Sequence, residues 1–332
     1  MATTTKRSLE PNLLSTRKFE PRIRWANFPV VCMNQSGVVV VFYQHLRKIY
    51  FIVGSVSVDL TTERNFGGGT LAKHSCEWGN VQLYGDGLNV RAALNESNEI
   101  VVVRSGTYRR RCMYRSGVVS QNERNIIWKE DDTFFTKGVN PAVALKGSTV
   151  IFVHELNFGL YRCFYNIAKI SDGSIRFIGT RNQPLPALDE RKEISLSLNA
   201  SGYVVFSCRW CVGGNLFYAV GKLSDGEDSI NDVVRVQQYA QGVYSHICLL
   251  DDGNVVEVHE KLMSSLCMFK FGRLDGNTIA WGEDLEFDYG NNPCTAVTNN
   301  CQMIVVRVTR PYVAPGELHY KFGFLSESVG HA

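Results

Sequence analysis

The chain repeats itself, and the period leaves few folds open to it. Asn140-Pro-Ala-Val-Ala-Leu-Lys-Gly147 followed by Val150-Ile-Phe-Val-His-Glu155 is matched by Ile247-Cys-Leu-Leu-Asp-Asp-Gly253 followed by Val255-Val-Glu-Val-His-Glu260. Weaker copies set a turn residue at Gly37, Asn98, Gly147, Gly202, Gly253 and Asn300, a period of about 50 residues. A second marker, aromatic-x-x-small, follows each turn: Phe51 to Gly54, Tyr114 to Gly117, Tyr165 to Ala168, Tyr218 to Gly221, Phe269 to Gly272 and Tyr320 to Gly323. Two markers in phase require units that are built alike and stacked on like neighbours.

Each unit reads as four short strands, for example 142–145, 150–155, 161–167 and 175–178, joined by Gly, Asp and Asn turns. Helical periodicity is nowhere sustained. Stretches such as 38–42 and 100–103 are apolar on both parities, as strands covered on both faces are. The expected fold is all-β: a six-bladed β-propeller of four-stranded antiparallel blades. An Ile-x-aromatic fourth strand recurs at 126–128, 175–177 and 279–281, yet too little chain follows Phe324-Leu325 to supply one. Arg22-Ile23-Arg24-Trp25 matches it, so an N-terminal strand is expected to close the ring and remove its open edges. The domain then spans 20–326, with polar tails at 1–19 and 327–332. A seventh blade within 59–87 is the structural alternative.

The phrases Asn-Pro-Ala-Val-Ala-Leu, Val-Val-Glu-Val-His-Glu and Ile-Ala-Trp-Gly resemble repeat units of uncharacterised propeller proteins. The architecture is similar to the lectin-type propellers of the tectonin and tachylectin group. That resemblance implies a binding module for sugars with sites around the ring. Sugar-contacting motifs of those lectins are not matched, so no binding residue is carried over. The sialidase turn Ser-x-Asp-x-Gly-x-Thr-Trp is departed from: Asp172-Gly173 and Asp275-Gly276 are adjacent.

A formal charge of +3 gives no bulk attraction to nucleic acid. No 18-residue apolar span and no secretory apolar run occur, so a cytoplasmic location and no membrane span are expected. Ten cysteines are too few for a stapled secreted scaffold, and Cys208-Arg209-Trp210-Cys211 lacks a second pair to complete a zinc site. No metal and no cofactor are expected. Gly67-Gly68-Gly69 lacks the Lys-Ser/Thr of a phosphate loop.

His154-Glu155 and His259-Glu260 suit general acid–base work, but a feature repeated in two blades is more simply a blade-to-blade contact. Loops between second and third strands carry ten Lys or Arg against Glu260 and Glu317. Arg109, Arg110 and Arg111 form the densest run and fit a carboxylate, sulfate or phosphate. Trp210 and Tyr312 could stack on a sugar ring. Acidic segments 130–132 and 283–288 share that face and offer a competing reading, in which opposite charges pair. The expected function is non-catalytic recognition of a glycan or acidic ligand through these loops. A propeller glycoside hydrolase is the runner-up, and a protein-interaction scaffold is third.

Overall fold

Runs such as Val38-Val39-Val40-Val41-Phe42 are too β-branched to favour helix and too apolar to face water; each becomes the buried second strand of a sheet. The computed structural model describes residues 7–19, 23–64, 70–107, 110–157, 161–210, 213–233, 236–309 and 316–329. β1 (Arg7–Leu13) and β2 (Arg17–Lys18) join the last sheet. The first comprises β3 (Asn27–Met33), β4 (Val38–His45), β5 (Lys48–Arg64) and β6 (Thr70–Trp78), with β7 (Gln82–Asp86) along β5. Next come β8 (Leu88–Leu94), β9 (Glu99–Ser105), β10 (Arg111–Ser120) and β11 (Asn125–Trp128), with β12 (Thr133–Lys137) on β10. The third has β13 (Val139–Lys146), β14 (Thr149–Asn157), β15 (Tyr161–Ser171) and β16 (Ser174–Pro184).

A larger sheet follows: β17 (Arg191–Leu198), β18 (Tyr203–Trp210), β19 (Asn215–Leu223), β20 (Ile230–Asn231), β21 (Gln237–Leu249), β22 (Asn254–Lys261), β23 (Leu266–Asp275) and β24 (Thr278–Tyr289). β21 makes two four-stranded units into one, because its first residues pair with β19 and its last with β22. The final unit is β25 (Asn291–Val297), β26 (Gln302–Thr309), β27 (Glu317–Val329) and β1. All pairings are antiparallel. The first strands β3, β8, β13, β17, β21 and β25 lie side by side in that order, and β25 packs on β3.

The aromatic-x-x-small marker is a packing device. The aromatic, from Phe51 to Tyr320, is buried in every unit. The small residue leaves room for the fourth strand: Gly54 faces Trp78, Gly117 faces Trp128, Ala168 faces Phe177 and Gly272 faces Trp281. A Cβ on Gly272 would lie 2.5 Å from Ile279 Cγ2 and 2.8 Å from Trp281 Cε3. Gly272→Ala is therefore expected to cost about 1–3 kcal/mol by overpacking. Denaturant midpoints check this against Gly226→Ala, where the nearest atom is 3.7 Å away and little change is expected.

Turns between first and second strands share one chemistry. Oδ1 of Asn34, Asn95 and Asn199 accepts the backbone N–H four residues on, from Val38, Glu99 and Tyr203. Asn34, Asn95 and Asn199 are all buried in these turns. A left-handed residue follows at Gly37, Asn98, Gly147, Gly202, Gly253 and Cys301, the last one position beyond the expected Asn300.

The N-terminal segment differs from the expectation. The strand completing the last sheet is Arg7–Leu13, inside the stretch expected as a tail, and not Arg22-Ile23-Arg24-Trp25; Leu13 is paired with the small residue Gly323. Trp25 has φ +64° and is exposed, and Arg24 makes one isolated bridge to Glu317. In the stretch expected to hide a seventh blade, the described strand residues extend the β5–β6 hairpin or form β7, all in the first sheet. No helix among the described residues is long and apolar enough to cross a membrane.

Candidate functional site

Each first strand carries a bulge, and residues of five of the bulges line one cavity. Register shifts at 27/30, 88/91, 139/142, 192/195, 243/246 and 291/294 each hold a non-glycine left-handed residue: Phe28, Asn89, Asn140, Glu193, Tyr244 and Asn292, with φ between +47° and +56°. Phe and Tyr rarely adopt this conformation, and such outliers concentrate at functional sites. The bulges turn side chains inward, and a cavity of about 190 Å³ lies among Phe28, Asn89, Arg91, Asn140, Lys192, Glu193 and Tyr244. At ~30 Å³ per water that is room for several waters or one small ligand ring.

The lining is amphipathic. Phe28 and Tyr244 meet edge to face with centroids 5.8 Å apart. Asn89 Nδ2 donates to Asn140 Oδ1 at 2.6 Å, and Asn140 Nδ2 to Glu155 Oε2 at 3.0 Å. Glu193 is the one carboxylate among the described lining residues, and Arg209 Nη2 donates to its Oε1 at 2.6 Å. A smaller cavity beside it adds Ser245, His246, Asn292 and Cys294, and a third, of about 150 Å³, opens among the far ends of the first strands. There Lys146 Nζ reaches across to Asp251 Oδ2 at 2.7 Å, and Asn299 Nδ2 donates to the same oxygen at 2.5 Å.

The His-Glu pairs serve the bulges. Asn89 N donates to Gln44 Oε1, Asn140 N to Ser105 Oγ and Asn292 N to Glu260 Oε2 at 3.0 Å, each from one unit's bulge to the preceding unit's second strand. Glu155 occupies the equivalent place facing the Glu193 amide; burial pushes its carboxyl up to about 8. His154 lies against Phe164 and Phe135, and burial lowers it to about 4. The equivalent His259 is also buried, but Glu257 Oε2 at 2.9 Å from Nδ1 outweighs burial and raises it. Burial raises the Cys32, Cys248 and Cys294 thiols near the channel. No group of His, Cys, Asp or Glu among the described residues is placed to hold a metal ion.

Of the loop residues expected as contacts, the described ones, Arg110, Arg111 and Trp210, do not line this cavity. Arg109 and Tyr312 lie outside the described residues, as does Cys211. Arg110 and Arg111 are exposed, the latter with its guanidinium 5.6 Å from the Phe134 ring centroid, in the second sheet. Trp210, 38% exposed in the fourth unit, packs against Arg191 and Phe217. Among the described residues, two of the ten loop cations meet the acidic segments, Arg104 with Asp132 and Arg307 with Asp288, as do the strand residues Arg115 with Asp131 and Lys321 with Asp288. Sequence reasoning missed the bulges, although Phe28-Pro29, Asn140-Pro141 and Asn292-Pro293 recur in phase and proline at a strand start marks one.

No family model and no curated protein matches the chain. Solved structures do. A protein of unknown function from Dyadobacter fermentans is 12% identical with a TM-score of 0.58, covering 95% of this chain and 99% of its own. An α-L-arabinofuranosidase from Fusarium graminearum is 6% identical with a TM-score of 0.55, covering 92% and 94%. A fucose-specific lectin from Aleuria aurantia is 11% identical with a TM-score of 0.54, covering 92% and 96%. The likeness is one of fold, to β-propellers that include a lectin and glycosidases.

Proposed function

We propose that the chain is a six-bladed β-propeller, its last blade completed by the N-terminal strand, that recognises a glycan without cleaving it. The sugar sits in the axial cavity against Phe28 and Tyr244. One observation carries this reading: the bulges bring two aromatic rings and a set of amide, guanidinium and ammonium groups to one pocket, the mixture that a sugar's apolar face and hydroxyl edge require. Cleavage of a glycosidic bond needs two carboxyl groups flanking it. Here Glu193 is held by Arg209, and Glu155 is fully buried beneath Asn140.

A glycan array with neutral, sialylated and sulfated members, run at about 0.15 M and 1 M salt, tests the reading, since screening separates Coulombic attachment from stacking and hydrogen bonding. Tyr244→Asn keeps a residue that tolerates positive φ and is expected to weaken binding about tenfold. Trp210→Ala is expected to leave it within about twofold. The reverse pattern would move the site to the loops. One observation favours glycoside hydrolysis instead: Glu155 retains its proton near neutrality next to a second carboxyl, Glu193, as an acid–base pair would. Under that reading Glu155→Gln abolishes turnover of aryl glycosides; under recognition no turnover exists to lose.

A further inference from the structure

Arg91 stands where the three axial cavities meet and lines all of them. Its Nη1 donates to the Val90 carbonyl at 3.0 Å, while Nε is buried without a hydrogen-bond partner among the described residues. Two other buried polar atoms in the same cavities also lack one: His246 Nδ1 and Asn292 Oδ1. Other enclosed basic groups are provided for. Arg104 meets Asp132, Arg307 meets Asp288, Arg209 meets Glu193 and Lys270 meets Asp284, and Arg191 lies on the Trp210 and Phe217 rings. Arg91 makes no ion pair among the described residues.

Arg91 is half-buried with its Nε fully covered, and a guanidinium partly withdrawn from water gains from an anion, for which the planar carboxylate is its natural complement. Lys192 lines the mouth, and Glu193, the carboxylate that acts on Arg91 through space, is already engaged by Arg209. We propose that the axial ligand is an acidic sugar, its carboxylate seated on Arg91 and one of its hydroxyls donating to Asn292 Oδ1. This rests on the axial glycan reading and names the ligand class for it. His246 completes the pocket as a neutral partner for a further hydroxyl, since burial, with Arg91 beside it, lowers it to about 3.

Calorimetric titration of the full chain with glucuronate and galacturonate, against glucose and galactose, tests the assignment, with acetate and inorganic phosphate as bare anions. Each uronate is expected to bind at least about tenfold tighter than its neutral counterpart. Arg91→Gln should erase that preference, weakening uronate binding at least about tenfold more than neutral-sugar binding. Its melting temperature without ligand should be no lower than the parent's, because a half-buried charge with no ion pair among the described residues is gone. Asn292→Gly, which retains freedom at positive φ, should weaken uronate and neutral sugar alike and keep their ratio. Equal affinity for uronate and neutral sugar, or a preference that survives Arg91→Gln, overturns the acidic ligand and leaves axial glycan binding standing. Acetate or phosphate binding as tightly as uronate overturns it in favour of a bare-anion site. No sugar binding at all overturns both readings.

Discussion

Glu155→Gln is expected to stabilise the fold by an amount that grows from near zero at pH 4.5 to about 4 kcal/mol at pH 8. Burial holds the Glu155 carboxyl protonated up to about pH 8, whereas the unfolded chain releases the proton near 4.5. The folded state therefore binds more protons throughout that window, and its stability falls as pH rises through it. Glutamine carries no proton to release and keeps an oxygen for Asn140 Nδ2, so the loss vanishes. Denaturant unfolding at pH 4.5, 7 and 8 measures the difference. A gain that does not vary with pH, or a loss at pH 8, would contradict the burial argument.

Phe19→Ala is expected to cost about 3–5 kcal/mol, the range for emptying a buried aromatic site. Phe19 is fully buried, with its ring centroid 4.6 Å from Trp78 and 4.8 Å from Tyr320. It thus fills the seam between the outer strand of the first sheet and the third strand of the last, beside the segment where β1 and β2 pair with β27. Losing it loosens the hold of the N-terminal strand and uncovers the β27 edge, so the variant should also associate more readily. Phe134→Ala serves as the comparison: that ring is 45% exposed, and a change within about 0.5 kcal/mol is expected. Equal destabilisation by the two would show that the N-terminal segment carries no structural weight.

The repeating architecture was legible because its devices depend on residue type. A glycine opposite a tryptophan, an asparagine closing a turn and an all-apolar second strand each leave a mark in the letters. The joining strand was placed too late because Ile23-x-Trp25 imitates the fourth-strand pattern, whereas the strand that pairs, Arg7–Leu13, reads as polar tail. The axial site was hidden for a different reason. Its six left-handed positions hold Phe, Asn, Glu and Tyr, and a conformation imposed by the bulge selects no single residue type. The basic loops drew attention instead because their partners are distant in sequence: Asp132 reaches Arg104, and Asp288 reaches Arg307 and Lys321, only once the chain is folded.

The axial site is tested most directly by locating a bound sugar: a crystal structure of the protein with a ligand selected on the array. The account predicts one sugar ring per chain in the cavity lined by Phe28 and Tyr244, hydrogen-bonded to Asn89 or Asn140. A ring stacked on Trp210, or equivalent rings repeated between neighbouring blades, would contradict it.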